Sequence, residues 1–227
     1  MRRIAKSKPG PPRLLELRQQ GKRYTDLDAN PKDKQRVRTA LLDDQGYLCC
    51  YCMRRISPEK HRIKIEHHES QSSNPDRELD WNNLLVACSG GPKLRARRKD
   101  DKAARKIPTD LQTCDTRKGN ADITINPLDS SVDDIEYLPN GQLGHPQPSL
   151  QEDIDQHLNL NVGFLVEARK SARRAMIEAL DRTLGSRKEW TRDKLTRYLE
   201  GLRSASRLEP FFGLLEHDLN RWIARRR

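Results

Sequence analysis

Four cysteine residues have the spacing of a metal site. Cys49 and Cys52 form a close pair, and Cys88 and Cys114 follow farther along the chain. The two-residue gap of the close pair lets a tight turn aim both sulfurs at one ion, which leaves Cys50 as a spare thiol. Four thiolates give Zn²⁺ a closed tetrahedral site, and such a site is structural because no coordination position is left for water. The spacing therefore predicts one structural Zn²⁺ that cross-links the chain.

Three other side chains have the chemistry of a second, catalytic metal site. Glu66 and His67 lie between the cysteine pair and the third cysteine, and Asp115 follows Cys114 directly. Carboxylate oxygens are the hard ligands that Mg²⁺ or Mn²⁺ prefers. Imidazole has an ordinary pKa of about 6.5, so a neutral base is available at cellular pH to remove a proton from water. Metal-assisted phosphodiester hydrolysis requires this combination, so we expect Glu66 and Asp115 to bind a catalytic divalent ion and His67 to act as the general base.

A pair of strands and a helix must position these groups. Residues 63–65 alternate in polarity and predict a first strand that ends at the Glu-His pair. Residues 82–87 predict a second strand, and residues 115–119 predict the start of a helix. Neighbouring side chains of a strand point to opposite faces, so a kink or bulge is needed to bring both residues of the pair into one site. His68 is the local alternative to His67 as the base, because a slip of one residue along a strand exchanges the two faces.

The charge of the chain favours a polyanionic partner. Its 227 residues carry a formal net charge of +11, and more than half of this comes from residues 92–119, which hold ten Lys and Arg against four Asp. A charged run is otherwise a solvated face, but this run falls inside the cysteine motif, within an insertion at residues 89–113. We therefore predict that the insertion and the helix after it bind nucleic-acid phosphates. The candidate residues are Arg95, Arg97, Arg98, Lys99, Arg117 and Lys118.

Nothing in the sequence predicts export or membrane insertion. No apolar stretch approaches the ~20 residues of a membrane span, and the charged first residues are not followed by the apolar segment of a secretory signal. Five cysteines, an odd number, in such a chain argue against a disulfide framework and favour zinc binding. We therefore expect a cytoplasmic protein.

The order of these motifs resembles that of the HNH (ββα-metal) nucleases. It reads C-x2-C, an acidic residue and His, Asn-Leu, Cys, and then Cys-Asp-x-x-Lys-Gly. In detail the chain resembles the PtuB family, the HNH component of Septu-type antiphage systems, which also occurs as a retron-associated effector. The likeness runs over residues 46–161, and its further marks are Asn83-Leu84-Leu85, Asn126-Pro127-Leu128-Asp129 and Leu158-Asn159-Leu160-Asn161. The usual Phe-x-Pro-Lys after the histidine is replaced by His68-Glu69-Ser70-Gln71, which loses a lysine that could contact phosphate.

The resemblance implies an α+β protein with a zinc-stapled ββα-metal nuclease core and an α-helical C-terminal region. The chain then divides into a basic N-terminal arm and helix (1–45), the core (46–148) and the helical region (149–227). Asn83 takes the central Asn position, where its amide fixes the loop or orients His67. The implied activity is metal-dependent hydrolysis of phosphodiester bonds in nucleic acid, with DNA favoured.

The resemblance also implies an antiphage defence role beside an ATPase of the PtuA type. In a retron setting the assembly would include a reverse transcriptase and its DNA product. The amphipathic segment 162–223 is predicted to form a helical core or a docking surface for the ATPase, on the expectation that the nuclease core needs few of these helices. Two alternatives stay open: an RNA-targeting HNH toxin that cuts tRNA, and a non-catalytic zinc-ribbon module that binds nucleic acid.

Overall fold

The computed structural model describes residues 1–7, 9–57, 63–92 and 107–226. Most of the basic insertion falls before residue 107, so the predicted phosphate contacts of Arg95, Arg97, Arg98 and Lys99 lie outside the described residues. Within the described ranges the protein combines α-helices with two small antiparallel sheets. None of the helices in these ranges is long and apolar enough to cross a membrane.

Three helices precede the cysteine pair. They are α1 (Pro12–Gln19), α2 (Tyr24–Asp28) and α3 (Pro31–Asp44). Asn30 caps α3, because its side-chain oxygen accepts hydrogen bonds from the backbone N–H groups of Lys32 and Asp33 at 3.1 and 3.2 Å. At the other end of α3, the side chain of Gln45 exchanges two hydrogen bonds with the backbone of Val86, at 2.7 and 2.9 Å. The helix is therefore tied to the strand that leads to the third cysteine.

A strand pair covered by a short helix forms the centre of the protein. β1 (Ile63–His67) pairs antiparallel with β2 (Leu84–Cys88), in a register that sets His67 opposite Leu84. The short helix α4 (Cys114–Lys118) packs against β2. Every residue of β2 is buried, which explains its unbroken apolar sequence. The pairing along these two strands is regular through His67 and contains no bulge.

The C-terminal half adds a second small sheet and most of the helical content. Its elements are β3 (Glu136–Tyr137), β4 (Leu143–Gly144), α5 (Pro148–Glu152), α6 (Gly163–Leu184), α7 (Arg192–Arg203) and α8 (Phe212–Ala224). A π-helical turn, Asp153–His157, continues α5. The buried carboxylate of Asp153 accepts hydrogen bonds from the backbone N–H groups of Thr124 and Ile125 at 2.7 and 2.9 Å. This turn therefore holds the segment that follows α4.

The C-terminal helices pack directly on the loop that carries the cysteine pair. Leu48 and Met53, which flank the pair, belong to the same hydrophobic cluster as most of the buried apolar side chains of α6, α7 and α8. The N–H of Phe211 also donates to the carbonyl of Met53 at 2.8 Å. Because only 34% of the residues are hydrophobic, the core draws on these helices. The expectation that the nuclease core needs few of them is wrong, because the large apolar side chains of segment 162–223 are buried or half-buried within the chain.

Residues 1–7 pack against the core and do not form a free basic arm. Ile4 is buried, and its N–H donates to the carbonyl of Pro127 at 2.8 Å. The carbonyl of Ser7 accepts a hydrogen bond from the indole N–H of Trp81 at 2.7 Å. Apolar burial and these backbone contacts outweigh the basic composition from which an arm was predicted.

Candidate metal and catalytic site

The four predicted cysteines come together in one buried cluster. Their Sγ atoms all lie within 4.8 Å of one another. The Sγ of Cys88 is 3.7 Å from that of Cys52 and 3.8 Å from that of Cys114. Sulfurs around a tetrahedral zinc ion, each about 2.3 Å from the metal, are about 3.8 Å apart, whereas a disulfide brings two sulfurs to about 2.05 Å. The donor set and its spacing fit Zn²⁺, and the prediction that these four cysteines come together in a position to bind a metal is confirmed.

The electrostatics of the cluster also favour a bound cation. Burial raises the pKa of the Cys49 and Cys114 thiols well above their ordinary value. Four buried sulfurs can all become thiolates only if positive charge compensates them. Arg54 supplies part of that charge, since its Nη2 donates to the Sγ of Cys88 at 3.4 Å. Cys50 is buried next to the cluster but is not one of its four members.

A tight turn aims the close cysteine pair. The N–H of Cys49 donates to the carbonyl of Arg54, and the N–H of Met53 donates back to the carbonyl of Cys49, both at 3.0 Å. Met53 adopts a positive φ of 60°, which lets the chain reverse within this turn. At the end of β2, the N–H of Cys88 donates to the Sγ of Cys49 at 3.4 Å. The strand and the turn therefore present their sulfurs to one point.

A distant segment holds the fourth cysteine in place. The N–H of Cys114 donates to the carbonyl of Leu158 at 3.0 Å. The neighbouring Asn159 side chain donates to the carbonyls of Asp110 and Gln112, each at 2.9 Å. These bonds brace the chain just before α4. The Leu-Asn-Leu-Asn segment, whose role the sequence did not reveal, thus positions a metal ligand.

Glu66 and Asp115 form a carboxyl pair between β1 and α4. The side chain of Glu66 is only 2% exposed, and its Oε1 lies 3.0 Å from the Nζ of Lys118. The same oxygen accepts a hydrogen bond from the hydroxyl of Tyr51 at 2.8 Å. The carboxyl groups of Asp115 and Glu66 lie close enough to shift each other's pKa, and the Oδ2 of Asp115 lies 2.6 Å from the Nζ of Lys64. Two of the predicted site residues are therefore in contact.

The two carboxyl groups differ in their ionisation. Burial and, next, the adjacent Asp115 raise the pKa of Glu66 to about 8, although Lys118 opposes the change. Burial acts in the same direction on Asp115, but hydrogen bonds from Glu66 and Lys64 hold the pKa of Asp115 below its ordinary value. At neutral pH the pair therefore retains one proton, on Glu66. A divalent cation can take the place of that proton, because carboxylate oxygens are the ligands that Mg²⁺ and Mn²⁺ prefer.

His67 points away from the carboxyl pair and is held by a backbone carbonyl. Its Nε2 lies 3.0 Å from the carbonyl oxygen of Glu78. A carbonyl only accepts, so the neutral ring carries its proton on Nε2 and its basic lone pair on Nδ1. Burial lowers the pKa of His67, while the Glu78 carbonyl and carboxylate and the more distant Asp115 act to raise it. The ring is therefore a neutral base within electrostatic range of Asp115.

The predicted triad of Glu66, His67 and Asp115 does not converge on one point. Within the described part of the chain, the cysteine cluster is the one group in which three or more potential metal ligands meet. The physical reason is the regular pairing of β1, which sends Glu66 and His67 to opposite faces without the predicted bulge. The structure brings together the two carboxyl groups, whereas the imidazole lies on the other face of β1.

His68 has a similar anchor on the other side of the chain. Its Nε2 lies 3.1 Å from the carbonyl oxygen of Ile125, and its side chain is buried. Burial lowers the pKa of His68 as well, although the Ile125 carbonyl opposes this shift. The geometry of these two histidines alone does not select one of them as the base.

Asn83 fixes the loop that joins the two strands. Its side-chain oxygen accepts the N–H of Glu69 at 2.8 Å, and its amide donates to the carbonyls of Glu69 and Arg77 at 3.0 and 3.1 Å. Its own carbonyl accepts the N–H of His68 at 3.0 Å. Asn83 makes these bonds from a buried position, so it sets the backbone on which both histidines sit.

Of the two basic residues predicted in α4, one is buried and one is partly exposed. Lys118 is 3% exposed, and its Nζ also donates to the carbonyl of His67 at 3.0 Å. Its charge faces the carboxyl pair and is not presented at the surface for a phosphate, because Lys118 lies one turn after Cys114 on the same inner face. Arg117 donates to the carbonyls of Gln156 and Thr109 at 3.0 and 3.3 Å, which leaves its charge without a carboxylate partner among the described residues.

Tyr51 is a site residue that the sequence analysis missed. It lies in the cysteine turn, and its side chain is fully buried with the hydroxyl on Glu66. The sequence does show a tyrosine inside the predicted metal-binding turn, and a buried phenol needs a hydrogen-bond partner, so a polar contact at Tyr51 could have been expected. The spacing in the sequence does not reveal that the partner is Glu66.

Comparisons with known proteins support a relation to HNH endonucleases over part of the chain. No family model matches. The chain is 39% identical over 61 residues to a protein of Escherichia coli named "Retron Ec83 putative HNH endonuclease". This segment is 25% of the present chain and spans 24% of the length of that protein. The similarity agrees with the HNH and retron parts of the sequence-based resemblance and does not bear on its Septu part.

Proposed function

We propose that this protein is a metal-dependent nuclease of the HNH type, which hydrolyses phosphodiester bonds in nucleic acid. The observation that carries the proposal is the pairing of the buried Glu66 with the half-buried Asp115 beside a four-cysteine site. A buried, protonated carboxyl group next to a second carboxyl group lowers the stability of the fold. A non-catalytic zinc-ribbon module gains no function that would offset this cost. The four cysteines hold the structural Zn²⁺, and the carboxyl pair holds Mg²⁺ or Mn²⁺.

Each residue of the site has a defined task in this reaction. His67 removes a proton from the attacking water with Nδ1, while the Glu78 carbonyl keeps the opposite nitrogen protonated. Glu66 and Asp115 would hold a divalent ion, which would supply Lewis-acid chemistry to the phosphodiester. Lys118 neutralises part of the charge of Glu66. Asn83 keeps the loop in the shape that orients the histidine.

We further propose that the nuclease acts in antiphage defence with an ATPase of the PtuA type. Three observations support this: the PtuB-like motifs, the similarity to a protein named for a retron, and the net charge of +11. In a retron setting the assembly would include the reverse transcriptase and its DNA product. DNA is the favoured substrate, and cleavage of RNA is an outcome that the experiment below distinguishes.

The test is a cleavage assay on the zinc-loaded full chain with Mn²⁺, with plasmid DNA and tRNA as substrates. The protein is assayed alone and after co-expression with an ATPase of the PtuA type. His67→Ala is expected to lower the rate about 10²–10⁴-fold, which is typical for loss of a general base, with zinc content unchanged. His68→Ala is the matched control. No Mn²⁺-dependent cleavage of either polymer, alone or with the ATPase, refutes the proposal, and a loss confined to His68→Ala transfers the role of base to His68.

A further inference from the structure

Tyr51 connects the cysteine cluster to the carboxyl pair. It lies between Cys50 and Cys52, in the turn that carries two of the four cysteines. Its side chain is 0% exposed, and its hydroxyl donates to the Oε1 of Glu66 at 2.8 Å across 15 residues of sequence. A metal-binding turn and a strand are therefore joined by one buried hydrogen bond.

The position of this bond decides what Glu66 can do. Both donors to Glu66, the Tyr51 hydroxyl and the Lys118 ammonium, meet the same oxygen, Oε1. The second oxygen, Oε2, accepts no hydrogen bond from an N–H or O–H donor in the described part of the chain. One oxygen is thus fixed by the protein, and the other keeps lone pairs available for a ligand shared with Asp115.

Tyrosine and lysine contribute differently to this arrangement. The Lys118 ammonium carries a charge that competes with a bound cation, and its donors rotate freely about Nζ. The Tyr51 hydroxyl is neutral and is held by a rigid ring in a packed interior, so it fixes the direction of the carboxylate without repelling a cation. A phenylalanine at this position would fill almost the same volume but would not fix the carboxylate.

We propose that Tyr51 is a positioning residue that couples the structural metal site to the catalytic one, by holding Glu66 in the orientation that binds a divalent ion with Asp115. This inference rests on the proposed function, because it concerns the same ion. Tyr51 acts through Glu66 and does not contact nucleic acid. Residues that orient metal ligands in this way typically change metal affinity or activity about 10–100-fold when they are replaced.

The test compares Tyr51→Phe with the parent protein, both as the full chain loaded with zinc. Mn²⁺ binding is measured by titration calorimetry, and we expect Tyr51→Phe to raise the dissociation constant about 10–100-fold. Zinc content is expected to stay at the parent value. Tyr47→Phe is the matched control, because Tyr47 lies in the same loop and its hydroxyl makes no hydrogen bond to the described residues. In cleavage assays, Tyr51→Phe should need more Mn²⁺ for half-maximal rate and approach the parent rate at saturating Mn²⁺.

The outcomes separate this inference from the proposed function. Equal Mn²⁺ affinities for Tyr51→Phe and the parent overturn the inference alone, provided that Glu66→Gln weakens binding. Loss of zinc from Tyr51→Phe with unchanged Mn²⁺ affinity also overturns it, because the hydroxyl would then have only a structural role. A parent protein that binds no Mn²⁺, or a Glu66→Gln variant that binds it as the parent does, overturns the proposed function and this inference with it.

Discussion

Glu66→Gln offers a direct measurement of the carboxyl pair, and its effect should depend on pH. Burial beside Asp115 raises the pKa of Glu66 from 4.5 to about 8. An acid whose pKa is raised by folding contributes stability fully below its unfolded value, and this contribution is lost as the pH rises through the folded value. Glutamine resembles the protonated acid, since its amide can accept from Tyr51 and donate to Asp115. The variant therefore keeps the folding stability that the parent loses as the pH rises.

The size of this loss of stability follows from the change in the pKa of Glu66 on folding. One pKa unit corresponds to about 1.4 kcal/mol, and integrating the two titrations from about pH 5 to about pH 8 gives a loss of about 3.5 kcal/mol in the parent. The unfolding free energy of Glu66→Gln minus that of the parent should rise by this amount. The difference is the useful quantity, because burial also lowers the pKa of Lys6 to about 7 and of the Met1 amino group to about 5. Those titrations are common to both proteins and cancel.

The assay is urea unfolding of zinc-loaded protein, first without other divalent ions and then with Mn²⁺. Mn²⁺ at about 100 times its dissociation constant should stabilise the parent by about 2.7 kcal/mol and leave Glu66→Gln unchanged. Glu136→Gln, which removes an exposed carboxyl group on β3, is the matched control for a change of surface charge. Parallel curves for Glu66→Gln and the parent over the whole pH range would refute the reasoning, because Glu66 would then ionise as it does in the unfolded chain.

Two further predictions concern the cysteine cluster and the basic insertion. Cys88→Ser should unfold and contain no zinc when measured by elemental analysis. Binding of a structural zinc contributes about 10–16 kcal/mol, which is as large as the whole unfolding free energy of a typical domain. Cys50→Ala should keep both the zinc and the fold. A folded, zinc-free parent would contradict this. Replacing Arg95, Arg97, Arg98 and Lys99 together by Gln should weaken nucleic-acid binding and reduce its log–log salt slope by about 0.9 for each lost phosphate contact. An unchanged slope would show that the run is only solvated charge.

The elements of the site were predictable because their signals are local. The C-x2-C spacing identified the turn, the alternation at 63–65 indicated β1, and the observed α4, Cys114–Lys118, lies within one residue of the predicted helix start. Each of these signals resides in a few neighbouring residues, where sequence patterns are informative.

The contacts of the site were not predictable, because they join residues that are far apart in sequence. Tyr51 and Lys118 approach Glu66 from opposite directions along the chain, and neither contact has a local pattern. Lys118 was expected at the surface because lysine is rarely buried without a partner, and its partner was unknown. The strand alternation did foresee that Glu66 and His67 face apart. The bulge invoked to reunite them is absent from β1 and β2.

The closeness of the two sites limits how cysteine variants can be interpreted. Cys114, Asp115 and Lys118 belong to one five-residue helix, and Tyr51 lies next to Cys52. Such a short helix has little stability of its own, so a metal bound by the cysteines would anchor its first residue and fix its geometry. Loss of zinc must therefore displace the carboxyl pair even when both carboxyl groups are intact. A cysteine variant without activity is consequently no evidence for a catalytic thiol, whereas a zinc-containing Glu66→Gln variant without activity would bear on the chemistry itself.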